Sequence, residues 1–201
     1  VAALRLFGAG AQLNPAWLLY VASVASLIAA AWLADGRPRP AFSWRANASW
    51  LVPLCMFVIT GAVLRLLWLD HVPGGVWYDE AQDALGVEHL LSDPNFRPVF
   101  VGGPTQAPVL LWYFAMPFFK LFGTSILSMR LPVAVAGILG IGAIFLAGKE
   151  LYGRKTGLIA AGLLTTYVWQ LTFSRIAFNT MWSVTLDAVA VYFVARALRR
   201  R

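Results

Sequence analysis

The segment WLVPLCMFVITGAVLRLLWLDHVPGGVWYDE, residues 50–80, decides the fold. Its first twenty residues, 50–69, are almost all apolar, and about 20 such residues are needed for an α-helix to cross a bilayer. After them a Pro-Gly-Gly turn leads into two adjacent carboxylates, Asp79 and Glu80. The sequence therefore predicts a membrane helix that opens directly into an acidic loop.

The composition of the whole chain agrees with a membrane protein. Of its 201 residues, 60% are hydrophobic and 12% are charged, whereas a soluble domain is roughly half apolar and about a quarter charged. The single cysteine, Cys55, excludes an intrachain disulfide. We interpret the net charge of +7 as a sign of membrane topology rather than of nucleic-acid binding, because basic residues collect at the cytoplasmic ends of spans.

Several apolar runs are long enough to span a bilayer. They are residues 50–69, 128–148, 156–173 and 181–195, with 17–34 as a fifth candidate. The run 108–122 is shorter and contains Pro117. If it does not cross, three basic clusters fall on one side, as the charge rule requires. These clusters are Arg37, Arg39 and Arg45; Lys149, Arg154 and Lys155; and Arg196, Arg199, Arg200 and Arg201.

The predicted fold class is an all-α integral membrane protein, a multi-span helical bundle with a large extracytoplasmic first loop that carries interfacial helices. Residues 1–49 are expected to hold an N-terminal span and a cytoplasmic linker, and residues 50–201 the bundle, with the outer loop at about 70–127. The chain begins without Met and ends just after an apolar run, so we interpret it as an N-terminal fragment of a longer protein.

The outer loop concentrates the acidic residues of the chain. Six of the nine lie within residues 70–93. Apolar residues at helical spacing predict a short amphipathic helix there, which has Asp79 and Glu80 in its first turn. We interpret the other acids of the helix, Asp83 and Glu88, and the Asp93 that follows them, as capping and solvated groups. We interpret the adjacent pair, Asp79 and Glu80, as catalytic, because a carboxylate at a membrane surface can act as a general base on a hydroxyl group.

Arg65 lies within the first predicted span, where an ionised group is costly unless it has a partner or a function. Snorkelling towards the interface is one explanation. The other is that Arg65 pairs with Asp79 or Glu80, or binds a phosphate. Arg130 and Arg175 also lie at the outer ends of predicted spans, and arginines beside the acidic pair predict an anionic ligand.

Three blocks of the sequence resemble one family. RLLWLDHVPGGVWYDEAQDAL (65–85) resembles the first outer loop of the GT-C glycosyltransferases of family 39, the protein O-mannosyltransferase type, and of their bacterial relatives that transfer aminoarabinose to lipid A. PTQAPVLLWYFAMPFFKLFGTSILSMRLPVAVAGILG (104–140) and LTFSRIAFNTMW (171–182) resemble the later blocks. The blocks occur in the family's order and together cover about residues 50–201.

The resemblance implies a glycosyltransferase in the plasma (inner) membrane of a bacterium. A sugar would move from a polyprenyl-phosphate donor to a hydroxyl acceptor on a protein, lipid or glycan, at the extracytoplasmic face. Asp79 is implied as the base, and Glu80 as the group that orients it or the acceptor. Substrate and lipid-phosphate contacts are expected from Arg65, Arg130, Arg175, Tyr78 and Gln106. Besides the two substrates, membrane lipids are the only expected partners, and nucleic acid is not one.

No cofactor and no metal ligands are assigned. Members of the family often carry a charged residue where this chain has Gln106 and Ala107, and an Asp where it has Asn179. A divalent metal is therefore left open.

A transporter or flippase for a lipid or a sugar is the alternative function. Transporters often have broken spans with charges near the middle of the membrane, whereas the charges here cluster at the outer surface, which favours a reaction at the interface. A non-catalytic scaffold is a third reading, but it gives no reason for an acidic pair beside an intramembrane arginine.

Overall fold

The structure is a computed structural model, and it describes residues 22–23, 25–26, 29, 44–100 and 108–199. The chain divides into two units, one formed by Val1–Ser43 with Asp93–Pro98 and the other by Trp44–Ser92 with Val99–Arg201. In the first unit, the described segment Asp93–Pro98 is a turn in which the Asn95 N–H donates to Asp93 Oδ1 at 2.8 Å.

The regular secondary structure in the described part of the second unit consists of α-helices and a single bridge between Phe100 and Pro108. Its helices are α1 Trp44–Leu66, α2 Tyr78–Ser92, α3 Leu110–Phe122, α4 Ile126–Tyr152, α5 Arg154–Thr166, α6 Val168–Arg175 and α7 Thr180–Leu198.

Three of these helices are long and apolar enough to cross a membrane: α1 from Asn47, α4 and α7. They confirm the predicted spans at 50–69, 128–148 and 181–195, and with them the all-α membrane fold. The run 108–122 forms the short apolar helix α3, and its interfacial position stays a prediction. The predicted span 17–34 and the linker at 36–40 lie largely outside the described residues.

The central helix of the bundle is α4. In its apolar window 61% of the residues are buried inside the protein, against 11% in α1 and 17% in α7. It packs against α1, α3, α5, α6 and α7, while α2 packs on α3. Ser125 caps its first turn by accepting the Ser128 N–H at 3.2 Å. Side chains at the beginning of α4 are therefore held from several sides.

The prediction of one continuous span at 156–173 is wrong. The chain leaves the helix at Tyr167, whose φ of −62° and ψ of 115° are extended, so that α5 and α6 are separate helices. The break exposes the last carbonyls of α5, and the buried Arg65 guanidinium donates to two of them, Leu164 O and Thr165 O, each at 3.3 Å. An arginine that satisfies the orphan carbonyls at a helix C-terminus removes the need for the helix to continue.

Candidate active site

Arg130, near the start of α4, gathers the loop between α1 and α2. Its guanidinium donates five hydrogen bonds: to Leu69 O at 3.2 Å, Pro73 O at 2.9 Å, Gly75 O at 2.7 Å, and Glu80 Oε1 and Oε2 at 2.8 and 3.1 Å. These account for every N–H that a guanidinium carries. Only 1% of the Arg130 surface is exposed. No donor of Arg130 is left for a ligand in this arrangement, and its contact with a lipid phosphate stays a prediction.

Glu80 is the buried partner of Arg130. Besides the ion pair, it accepts the backbone N–H of Trp77 at Oε2 and of Ala177 at Oε1, both at 2.9 Å. The first bond is the one that an acid three residues into a helix makes back to the residue before it. The second ties α2 to the segment between α6 and α7. Burial tends to raise the pKa of Glu80, but the hydrogen bonds from Arg130, Trp77 and Ala177 outweigh it and leave the pKa below its ordinary value. Glu80 therefore stays ionised and holds the site together.

Asp79 points the other way. Consecutive residues on a helix are about 100° apart, so when Glu80 turns inward its neighbour faces out. Asp79 is exposed, and its carboxylate has no hydrogen-bond or ion-pair partner among the residues that the structure describes. Trp77 and Tyr78, which are 61% and 76% exposed, lie beside it at the beginning of α2. The adjacent pair is thus split into one structural carboxylate and one available carboxylate.

Asp83 is a residue that the sequence reasoning missed. It was expected to be a solvated acid, but it is half-buried, and its Oδ1 accepts the Trp112 Nε1–H at 2.7 Å. Burial raises the pKa of Asp83 to about 6, helped by the charge of Asp79 and opposed by the Trp112 hydrogen bond. Its spacing of four residues from Asp79 was a signal in the sequence, because residues at that spacing share a helix face.

Arg65 does not pair with either member of the acidic pair. It is 0% exposed, and it donates to Gly61 O at 3.0 Å, to the α5 carbonyls and to the side-chain oxygen of Gln170. The Gln170 amide in turn donates to Gly137 O at 3.2 Å. The guanidinium is enclosed by helices and holds α1, α5 and α6 together, so the pairing with Asp79 or Glu80 is absent in this arrangement. The contact of Arg65 with a phosphate stays a prediction.

Arg175, at the end of α6, binds the carbonyls at the C-terminus of α1, as Arg65 of α1 binds those at the C-terminus of α5. It donates to Leu64 O, in the last turn of α1, and to the carbonyls of Leu67, Trp68 and Val72 just beyond it. Basic side chains stabilise a helix C-terminus in this way. Arg175 is only half-buried, and its Nε–H has no partner among the described residues. Arg65 also has an Nε–H without a partner, but that group is fully buried, so Arg175 is the one of the three arginines whose unused donor is accessible to a ligand.

The chain departs from the family resemblance at three positions. Gln106 and Ala107 lie outside the described residues. Asn179 donates from its amide to Pro108 O at 2.7 Å, which ties the start of α7 to the segment before α3. No group of three or more His, Cys, Asp or Glu residues suited to a metal gathers within the described part of the chain, and metal dependence stays open.

Residues 105–201 match the family model for dolichyl-phosphate-mannose-protein mannosyltransferase. This match confirms the resemblance of the second and third blocks and supports a membrane glycosyltransferase of the GT-C kind, whereas the first block, 65–85, lies before the matched residues. It includes Arg130, Arg175 and Ala177, whereas Asp79 and Glu80 precede it. No curated protein and no solved structure matches the chain.

Proposed function

We propose, from the match of residues 105–201 to the family model for dolichyl-phosphate-mannose-protein mannosyltransferase, that the protein moves a sugar from a polyprenyl-phosphate donor to a hydroxyl acceptor at the extracytoplasmic face of a bacterial plasma membrane. The acceptor oxygen attacks the anomeric carbon, and the bond from that carbon to the phosphate oxygen breaks. Polyprenyl phosphate leaves with the electron pair. The hydroxyl proton passes to the Asp79 carboxylate.

The observation that carries this proposal is the split of the acidic pair. A general base must have free lone pairs within reach of the substrate, and Asp79 is exposed with no partner in the described structure. Glu80 is excluded from that role, because its two oxygens accept hydrogen bonds from Arg130 and two backbone N–H groups. Its part is to fix the first turn of α2 and so to aim Asp79.

The donor phosphate is assigned to Arg175. Its free Nε–H gives a charged donor at the same end of the bundle, where charge-assisted hydrogen bonds to phosphate are strong. Tyr78, exposed beside the base, is placed to contact the sugar or the acceptor. Gln106 keeps its predicted substrate role as an inference from the sequence alone. The acceptor hydroxyl belongs to a protein, a lipid or a glycan.

The transporter alternative has one observation in its favour. The break between α5 and α6 at Tyr167 is the kind of discontinuity that transporters use to bind substrates. In this chain, however, the carbonyls at the break are occupied by the buried Arg65. The available charges lie at the end of the bundle instead, which favours the transferase.

The test is sugar transfer by the full-length protein in lipid vesicles, from labelled polyprenyl-phosphate donors. Removal of a general base typically costs about 10²–10⁴-fold in rate, so Asp79→Asn is expected to lose activity by that factor while it stays folded. Glu88→Gln, on the same helix, is the matched control and is expected to retain activity. Full activity in Asp79→Asn would overturn the assignment of the base. Failure of the wild type to consume any such donor would favour the transporter.

A further inference from the structure

Asp83 is held in place by a contact between two helices. The Trp112 side chain on α3 is 4% exposed, and its indole N–H donates to Asp83 Oδ1 at 2.7 Å. The ring lies directly over Gly86 of α2, where an added Cβ would come within 2.4–2.5 Å of its atoms. Only glycine permits so close an approach. The sequence thus places a glycine on α2 where the Trp112 ring needs the space to reach Asp83.

Asp83 and Asp79 act on each other. They are four residues apart on α2, and side chains at that spacing are neighbours with Cβ atoms about 5–6 Å apart. Neither carboxylate has a cationic partner among the residues described. The other charged and titratable groups on α2 and on α3, which packs against it, are Tyr78, Glu80, Glu88 and His89 on α2 and Tyr113 and Lys120 on α3. Arg130 of α4 pairs with Glu80. Of these and Asp79, only the Asp79 charge acts on the Asp83 carboxyl.

We propose that Asp83, fixed by Trp112, is a positioning residue that acts through Asp79: its negative charge, one helical turn away, strengthens Asp79 for proton abstraction. This inference rests on the proposed function. When a proton moves to Asp79, the repulsion between two negative charges at close range is relieved, and this favours the transfer while Asp83 is ionised. The effect is therefore present when Asp83 is ionised and absent when it is protonated.

The measurement is the pH dependence of transfer by the full-length protein in vesicles, from about pH 5 to 8. Because the pKa of Asp83 is about 6, the wild type is expected to show a rise in rate near that pH. Asp83→Asn is expected to lose this rise. Trp112→Phe removes the hydrogen bond that stabilises the ionised Asp83, so it is expected to move the rise to higher pH.

Asp83→Glu keeps the negative charge and is expected to keep the rise in rate that Asp83→Asn loses. A merely structural role of Asp83 would not predict this pH dependence. Glu88→Gln is expected to leave the profile unchanged. If Asp83→Asn fails to fold, Trp112→Phe and Asp83→Glu decide the question. A profile of Asp83→Asn or Trp112→Phe identical to the wild type overturns the inference. If Asp79→Asn is inactive while these profiles are unchanged, this inference fails alone. If Asp79→Asn is fully active, the assignment of Asp79 as the base fails, and if the wild type consumes no such donor, the proposed function fails.

Discussion

The ion pair of Glu80 and Arg130 is a different kind of interaction from a surface salt bridge. Both side chains are almost fully buried, at 3% and 1% exposed. Backbone carbonyls accept the remaining N–H groups of Arg130, and backbone N–H groups donate to the carboxylate oxygens of Glu80. Such a pair adds little over a well-packed apolar replacement, but removal of one partner leaves the other charge buried and alone. Replacing both partners by apolar side chains is therefore expected to change the free energy of unfolding little, whereas replacing only one is expected to lower it.

Glu80→Gln is expected to destabilise the protein by about 3–5 kcal/mol, the cost of leaving a buried arginine uncompensated. The measurement is the free energy of unfolding in detergent, with Glu88→Gln as the control on the same helix. An unfolding free energy for Glu80→Gln equal to that of the control would show that water reaches Arg130 and screens its charge.

Acid is expected to loosen the same contact. The pKa of Glu80 lies below its ordinary value of 4.5, because the hydrogen bonds from Arg130, Trp77 and Ala177 outweigh the opposing effect of burial. A lowered folded-state pKa stabilises the protein above the unfolded value, and this stabilisation is lost as the pH falls through the folded value. The wild type should therefore lose stability below the ordinary value of 4.5. Glu80→Gln should lose less over the same window, as followed by the unfolding midpoint against pH; parallel curves would contradict this.

The residue scale is where the sequence predicts least. The acidic pair and the three arginines were recognised as a group, because charged residues are conspicuous in an apolar chain. Which arginine pairs with Glu80 was not predictable, because Arg65 and Arg130 differ only in how the helices pack. Likewise Asp83 is half-buried because of Trp112, which belongs to another helix.

At the scale of the elements, close contact between α4 and α5 depends on glycine. A Cβ at Gly157 would lie 2.6 Å from Phe145 O and 2.9 Å from Lys149 N, both of which are backbone atoms of α4. Backbone atoms cannot rotate away, so the helices would have to separate. By contrast, a Cβ at Gly142, also within α4, would meet nothing within 4 Å.

Gly157→Ala is therefore expected to destabilise the bundle by about 1–3 kcal/mol, the usual cost of overpacking. Gly142→Ala is the matched control, and it is expected to be neutral or stabilising by up to about 1 kcal/mol, because alanine favours helix. Unfolding free energies in detergent compare the two. Equal effects would mean that α5 can shift without cost.

The break between α5 and α6 shows what hydropathy does not predict at this scale. Residues 156–173 are apolar and contain no proline, so the pattern indicated one span. The physical cause of the break lies outside the segment, in the Arg65 guanidinium of α1 that satisfies the freed carbonyls. Spans that end in ordinary turns were predictable, because length and apolar composition decide them.

At the scale of the whole molecule, charge divides the bundle into two ends. The end where α1 stops and α4 and α7 begin carries Arg130, Arg175 and the carboxylates of α2. The end where α4 stops and α5 begins carries Lys149 and Arg154, both near the Trp50 ring at 5.0 and 5.8 Å. By the charge rule, the second end is expected to face the cytoplasm. The proposed donor and acceptor would then meet at the outer surface.

Accessibility of single cysteines tests this orientation. Cys55 is the only native cysteine, so Cys55→Ser provides the background. Gly74→Cys, in the loop before α2 with nothing within 4 Å of an added Cβ, is expected to react with a membrane-impermeant maleimide in intact cells. Tyr152→Cys, at a position 76% exposed at the end of α4, is expected to react only after permeabilisation. The reverse pattern would place Asp79 in the cytoplasm, and the lipid-linked donor would then have to present its sugar on that side.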